Sequence, residues 1–91
     1  MGWIAFGNAE RTVYSEALKL EEGESVILSS FKKDRTIRIT KGKEGFAIEE
    51  DGFENSKFSI SDEGLKKKIK KLLAFEFPRS HKIMLSIRKG N

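Results

Sequence analysis

The sequence predicts an α+β domain: an antiparallel meander of five to six strands, one helix in the C-terminal half packed on one face of the sheet, and a final β-strand. Three observations predict it. Stretches with a two-residue apolar period, separated by glycines, fill the middle of the chain, one amphipathic stretch follows, and another alternating stretch comes last. With 91 residues, the chain is expected to form a single domain over residues 1–91.

The first part of the chain allows two interpretations. Val13, Ala17 and Leu20 fit one face of a helix, whereas Leu18 and Leu20 fit a strand that enters the glycine-containing turn at residues 20–25. We favour a strand over residues 17–21 and assign no role to residues 1–12. The stretch SVILSSF, residues 25–31, then has the β-branched and apolar content of a strand.

Three strands are predicted in the middle of the chain, over residues 35–41, 45–50 and 56–61. In each stretch two apolar residues alternate with polar ones, which is typical of a strand with one buried face. These pairs are Ile37 and Ile39, Phe46 and Ile48, and Phe58 and Ile60. The segments KGKEG and EDG between the stretches supply the glycines that tight connections use.

The helix is predicted to begin after Ser61 and to end by about residue 76. Ser61 suits the N-cap, and Asp62 and Glu63 lie in the first turn, where the helix dipole favours negative charge. Pro78 disfavours helical geometry at the preceding residue. The apolar stripe that would pack on the sheet is Leu65, Ile69, Leu72 and Leu73.

The last strand is predicted in residues 81–89, where Ile83, Leu85 and Ile87 alternate with polar residues. These three and the apolar pairs of the middle strands should face the helix. The opposite face of the sheet would then carry Arg38, Glu49, Lys57, Lys82, Met84 and Arg88.

Few residues suit catalysis or metal binding. The chain has no cysteine and a single histidine, His81, which is expected to be an ordinary surface residue. The carboxylates at 49, 50, 51 and 54 lack the spacing of calcium loops, and neither a Walker A loop nor a dinucleotide-binding glycine fingerprint is present. We therefore expect no enzyme activity, no metal and no cofactor.

Charge is distributed unevenly along the chain. The net charge is +4, but residues 1–65 carry 9 Lys/Arg and 13 Asp/Glu, whereas residues 66–91 carry 9 Lys/Arg and 1 acid, Glu76. Five lysines lie within residues 66–71, and like charges at a spacing of four residues destabilise a helix slightly. Because a solvated face usually mixes both signs, this run indicates a surface for a polyanion.

The sequence therefore predicts a small basic protein that binds nucleic acid without sequence specificity, single-stranded DNA or RNA in particular. Two surfaces are candidates, and the sheet side is slightly favoured. The sheet side would hold Arg38, Lys41, Lys43, Lys57 and Arg88, and the helix side Lys66, Lys67, Lys70 and Lys71.

The alternative is a non-enzymatic interaction or regulatory module that uses the charge asymmetry. The acidic residues within 44–54 would then pair with the basic C-terminal third of another copy, giving a homo-oligomer, or the basic third would dock an acidic protein.

We expect a cytoplasmic protein without a signal peptide or membrane span, because the longest apolar runs, WIAF and LLAF, are short. The absence of Cys and Gln with abundant Lys and Glu is typical of heat-adapted proteins.

Overall fold

The computed structural model describes residues 2–30, 35–52, 55–77 and 81–89, which form six strands and two helices. The strands are β1 (Trp3–Ala5), β2 (Ser25–Ser29), β3 (Thr36–Lys41), β4 (Phe46–Asp51), β5 (Asn55–Ile60) and β6 (Lys82–Arg88), and the helices are α1 (Phe6–Leu18) and α2 (Asp62–Glu76). The predicted α+β class is confirmed, as are the helix after Ser61 and the strand that follows it.

All six strands belong to one antiparallel sheet in the order β1-β6-β2-β3-β4-β5. Strands β2 to β5 form the predicted meander, in which each strand pairs with the next. Strand β6 returns from the end of α2 and lies between β1 and β2, hydrogen-bonded to both. The two edges of the sheet are therefore β1 and β5.

The strand favoured for residues 17–21 is wrong, because α1 runs through Leu18. Ala9, Val13 and Ala17 recur every four residues and are fully buried, whereas Leu18 is 52% exposed. Leu20 is buried just beyond the end of α1 and therefore lies in neither a helix nor a strand. Residues 3–12, left unassigned from the sequence, form β1 and the first half of α1.

Both helices cover the same face of the sheet, side by side and antiparallel. Tyr14 of α1 lies beside the start of α2 at Lys66, while Phe6 and Gly7 lie beside its later residues Leu73 and Ala74. The predicted stripe of α2 is buried against the sheet, together with the alternating apolar residues of the strands. The predicted inner-face residues of the sheet all belong to this core, with Phe58, Ile60 and Ile87 partly buried at its margin.

Gly45 has a specific structural task at the start of β4. Its φ is 157°, and a Cβ there would lie 2.5 Å from the backbone oxygen of Ile60, which immediately precedes the N-cap of α2. We expect Gly45→Ala to lower the free energy of unfolding by about 1–3 kcal/mol, since backbone must move. Gly42→Ala in the same connection is the control, because its Cβ would meet only an ordinary contact at 3.5 Å. Urea denaturation of both variants measures the difference, and equal midpoints would contradict this role.

Candidate nucleic-acid interface

The outer face of the sheet, which neither helix covers, carries alternating charges. Arg38 of β3 lies directly opposite Glu49 of β4, and Glu49 lies directly opposite Lys57 of β5. In the neighbouring row Thr36 faces Asp51. Cross-strand partners on one face are close enough for opposite charges to attract. The carboxylate of Glu49 therefore offsets part of the positive charge of both Arg38 and Lys57.

The β6 end of the outer face is more basic. Lys82 and Arg88 are exposed there, and Met84 lies opposite Trp3 of β1. Trp3 is 43% exposed and is the aromatic residue of this face among the residues that the structure describes. It lies at the edge of the sheet, away from Arg38 and Lys57.

Lys41 and Lys43 do not extend the outer face as predicted. Lys41 has the same parity in β3 as the buried Ile37 and Ile39, so its side chain is on the helix side of the sheet. Its Nζ lies 4.7 Å from the Phe46 ring centroid and 4.0 Å from Oδ1 of Asp62 at the start of α2. Lys43 is exposed in the β3–β4 connection beside Glu44.

The second candidate surface is the lysine face of α2, which we define as Lys66, Lys67, Lys68, Lys70 and Lys71. Two of its ammonium groups lie over aromatic rings. Lys66 Nζ is 5.8 Å from the Tyr14 ring centroid, and Lys68 Nζ is 4.7 Å from that of Phe58. Lys67, Lys70 and Lys71 are exposed. Lys68 is not among the site residues predicted from the sequence, although it belongs to the same lysine run.

No carboxylate lies within 4.0 Å of the lysine face in the part of the chain that the structure describes. The ion pairs found there involve other cations, in Lys19–Glu16, Lys41–Asp62 and Lys89–Glu24. Of the acidic residues within 44–54, the exposed ones at 44, 49 and 51 lie on the β3–β4 connection or the outer face. Glu54 lies outside the described residues.

Glu76, the single acid of the C-terminal third, is fully buried at the end of α2. Its backbone oxygen accepts a hydrogen bond of 3.1 Å from Nη1 of Arg35. Its carboxylate lies against Gly52, where any side chain would overlap it. Because Glu76 is fully buried, its carboxyl group is held away from the solvent in front of the lysine face.

The described residues contain no group of three or more His, Asp and Glu side chains placed to hold a metal ion. Neither of the two helices described, with 13 and 15 residues, is long and apolar enough to span a membrane.

Comparisons with protein-family models, with curated proteins and with solved structures found no match to this chain.

Proposed function

We propose that the protein binds nucleic acid without sequence specificity and that the lysine face of α2 is its principal contact. This proposal rests on one observation. Five lysine ammonium groups lie on one helix, and no carboxylate of the residues that the structure describes lies within 4.0 Å of them. Such a cluster attracts a phosphate backbone, because each phosphate that a lysine neutralises releases condensed counterions.

The arrangement of the lysines suits a polyanion of regular spacing. Lys67 and Lys71 are separated by about 6 Å along the helix axis, as are Lys66 and Lys70, so the face presents two short parallel rows of charge. Lysine is a point charge without the planar fork with which arginine reads guanine. The contacts are therefore to phosphate, which positions a nucleic acid without reading its sequence.

The helix side is favoured over the sheet side, in contrast to the preference drawn from the sequence. On the outer face Glu49 separates Arg38 from Lys57, and Asp51 lies in the next row. A phosphate backbone crossing that face would meet both signs of charge within one strand spacing. Lys82 and Arg88 can still add long-range attraction at the other end of the outer face.

The test is fluorescence anisotropy of a labelled single-stranded oligonucleotide at 50 and 200 mM salt. If four lysines each neutralise one phosphate, the affinity should fall about 50-fold between these concentrations. Absence of binding at 50 mM salt would remove the proposal. Self-association that salt disrupts, seen by size-exclusion chromatography without any affinity for the oligonucleotide, would instead favour an interaction module.

A further inference from the structure

We propose that the edge of the sheet at β5 binds an extended acidic segment of another protein as a seventh strand. Among the described residues, β5 pairs with β4 alone, and the other edge strand, β1, has only three residues. The six residues of β5 contain no proline and a single charge, Lys57, so little on this edge prevents another strand from pairing with it. The site is a backbone edge and does not depend on nucleic-acid binding.

The backbone groups of β5 that face outward follow from the pairing of its neighbours. The N–H of Gly42 donates a 2.8 Å hydrogen bond to the carbonyl of Gly45, and hydrogen-bonded pairs alternate with non-hydrogen-bonded pairs along an antiparallel ladder. By this alternation, the odd-numbered residues of β4 bond to β3 and its even-numbered residues bond to the even-numbered residues of β5. The N–H and C=O groups that remain for a partner strand are therefore those of residues 55, 57 and 59.

The side chains along this edge suit a strand in which acidic and apolar residues alternate. Lys57 is exposed on the outer face, where Glu49 offsets only part of its charge. On the helix side, Phe58 and Ile60 are partly buried at the margin of the core, and Lys68 Nζ lies 4.7 Å from the Phe58 ring centroid. A strand beside β5 would place its acidic side chains next to Lys57 and its apolar side chains against Phe58.

A second copy of the chain suits this edge less well. Two β5 strands that pair about a two-fold axis run antiparallel, and both helix layers then lie on the same face of the joined sheet. The two registers that pair most of β5 place Lys57 directly opposite or diagonal to its equivalent in the other copy, where like charges repel. The lysine faces of the two copies would also repel each other across the seam. An acidic segment meets the same positive charge with attraction.

The experiment measures binding of a labelled eight-residue peptide of alternating glutamate and valine by fluorescence anisotropy at 50 mM salt. Residues directly opposite each other in an antiparallel pair share a face, so the glutamates beside Lys57 are also the residues whose backbone groups bond to β5. N-methylation of the glutamates should therefore weaken binding by at least about 10-fold, whereas N-methylation of the valines should change it by less than about two-fold. The two methylated peptides have the same charge and mass, so their difference reports backbone pairing.

Ser59→Pro tests the protein side of the same contact. Proline at this position removes one outward N–H and leaves the hydrogen bonds between β5 and β4 in place, so peptide affinity should fall about 2- to 12-fold. Ser59→Ala keeps the N–H and is the matched control, with the peptide affinity of the wild type. Lys57→Glu should weaken peptide binding by about 2- to 10-fold, because a cross-strand attraction becomes a repulsion.

Three outcomes would overturn the inference. The first is no binding of the unmodified peptide at about 1 mM. The second is equal affinity of the two methylated peptides, because the lysine face would then attract them by charge alone. The third is a dimer, seen by size-exclusion chromatography, that Ser59→Pro dissociates, because a second copy would then occupy the edge. The methylated peptides test the wild-type protein even if the proline variant fails to fold, and none of these results depends on affinity for an oligonucleotide.

Discussion

Replacing Lys67, Lys70 and Lys71 together by glutamate should weaken binding to a single-stranded oligonucleotide by about 100-fold or more at 50 mM salt. The three side chains are exposed and make no ion pair with the described residues, so the substitution should leave the fold intact. Each lost lysine removes about 0.7 from the salt slope for a single strand. Three glutamates also repel the phosphates. Fluorescence anisotropy at several salt concentrations gives both the affinity and the slope.

The control is a variant with the same change in net charge on the outer face, Lys57→Glu, Lys82→Glu and Arg88→Glu. Both variants shift the formal net charge from +4 to −2, so long-range attraction to the oligonucleotide decreases equally in both. The difference between them therefore reports local contact. A larger loss in the sheet variant would show that the assignment of the principal surface to α2 is wrong.

The second large effect is expected at Ile69, which immediately precedes Lys70 in the chain. Ile69→Ala should lower the free energy of unfolding by about 2–5 kcal/mol. Ile69 is 1% exposed in the middle of the buried stripe of α2, so its truncation leaves a cavity between helix and sheet. A domain of this kind has about 5–15 kcal/mol of stability in total, and the loss is a substantial part of it. Urea denaturation followed by circular dichroism measures the change.

Residues 69 and 70 should therefore give opposite results in two assays. Below its unfolding transition, Ile69→Ala should bind the oligonucleotide with an affinity within about two-fold of wild type, because the lysine face of the folded protein is unchanged. Lys70→Glu should weaken binding and leave the urea midpoint nearly unchanged. If Ile69→Ala unfolded at the wild-type midpoint, α2 would not be part of the core.

The strands and α2 could be predicted because their buried faces consist of large apolar residues at regular spacing. In contrast, the buried stripe of α1 consists of Ala9, Val13 and Ala17, whose small side chains give a weak hydropathy signal. Leu18 and Leu20 added a false alternation at its end. Two alanines and one valine carry the whole buried stripe of α1, which is less apolar than the leucine and isoleucine stripe of α2.

The charged part of the candidate site could be predicted from composition, whereas its aromatic part required the structure. Tyr14 of α1 and Phe58 of β5, over whose rings Lys66 and Lys68 lie, belong to other elements, so the packing of the fold decides their position beside the lysines. Glu76 is an acidic residue, but it lies four residues after Leu72 and thus on the buried stripe of α2. The helical period indicates that placement, although the way α2 lies on the sheet decides which residues at the margin of the stripe are covered.

The position of β6 between β1 and β2 has a consequence for biosynthesis. On the ribosome, one edge of β2 has unpaired backbone N–H and C=O groups until residues 82–88 emerge. Strand β1 pairs with the same segment and therefore cannot join the sheet earlier. Contacts such as Trp3 with Met84 join residues far apart along the chain, and such contacts slow folding. The nascent polypeptide therefore acquires its complete sheet only after residues 82–88 have left the ribosome.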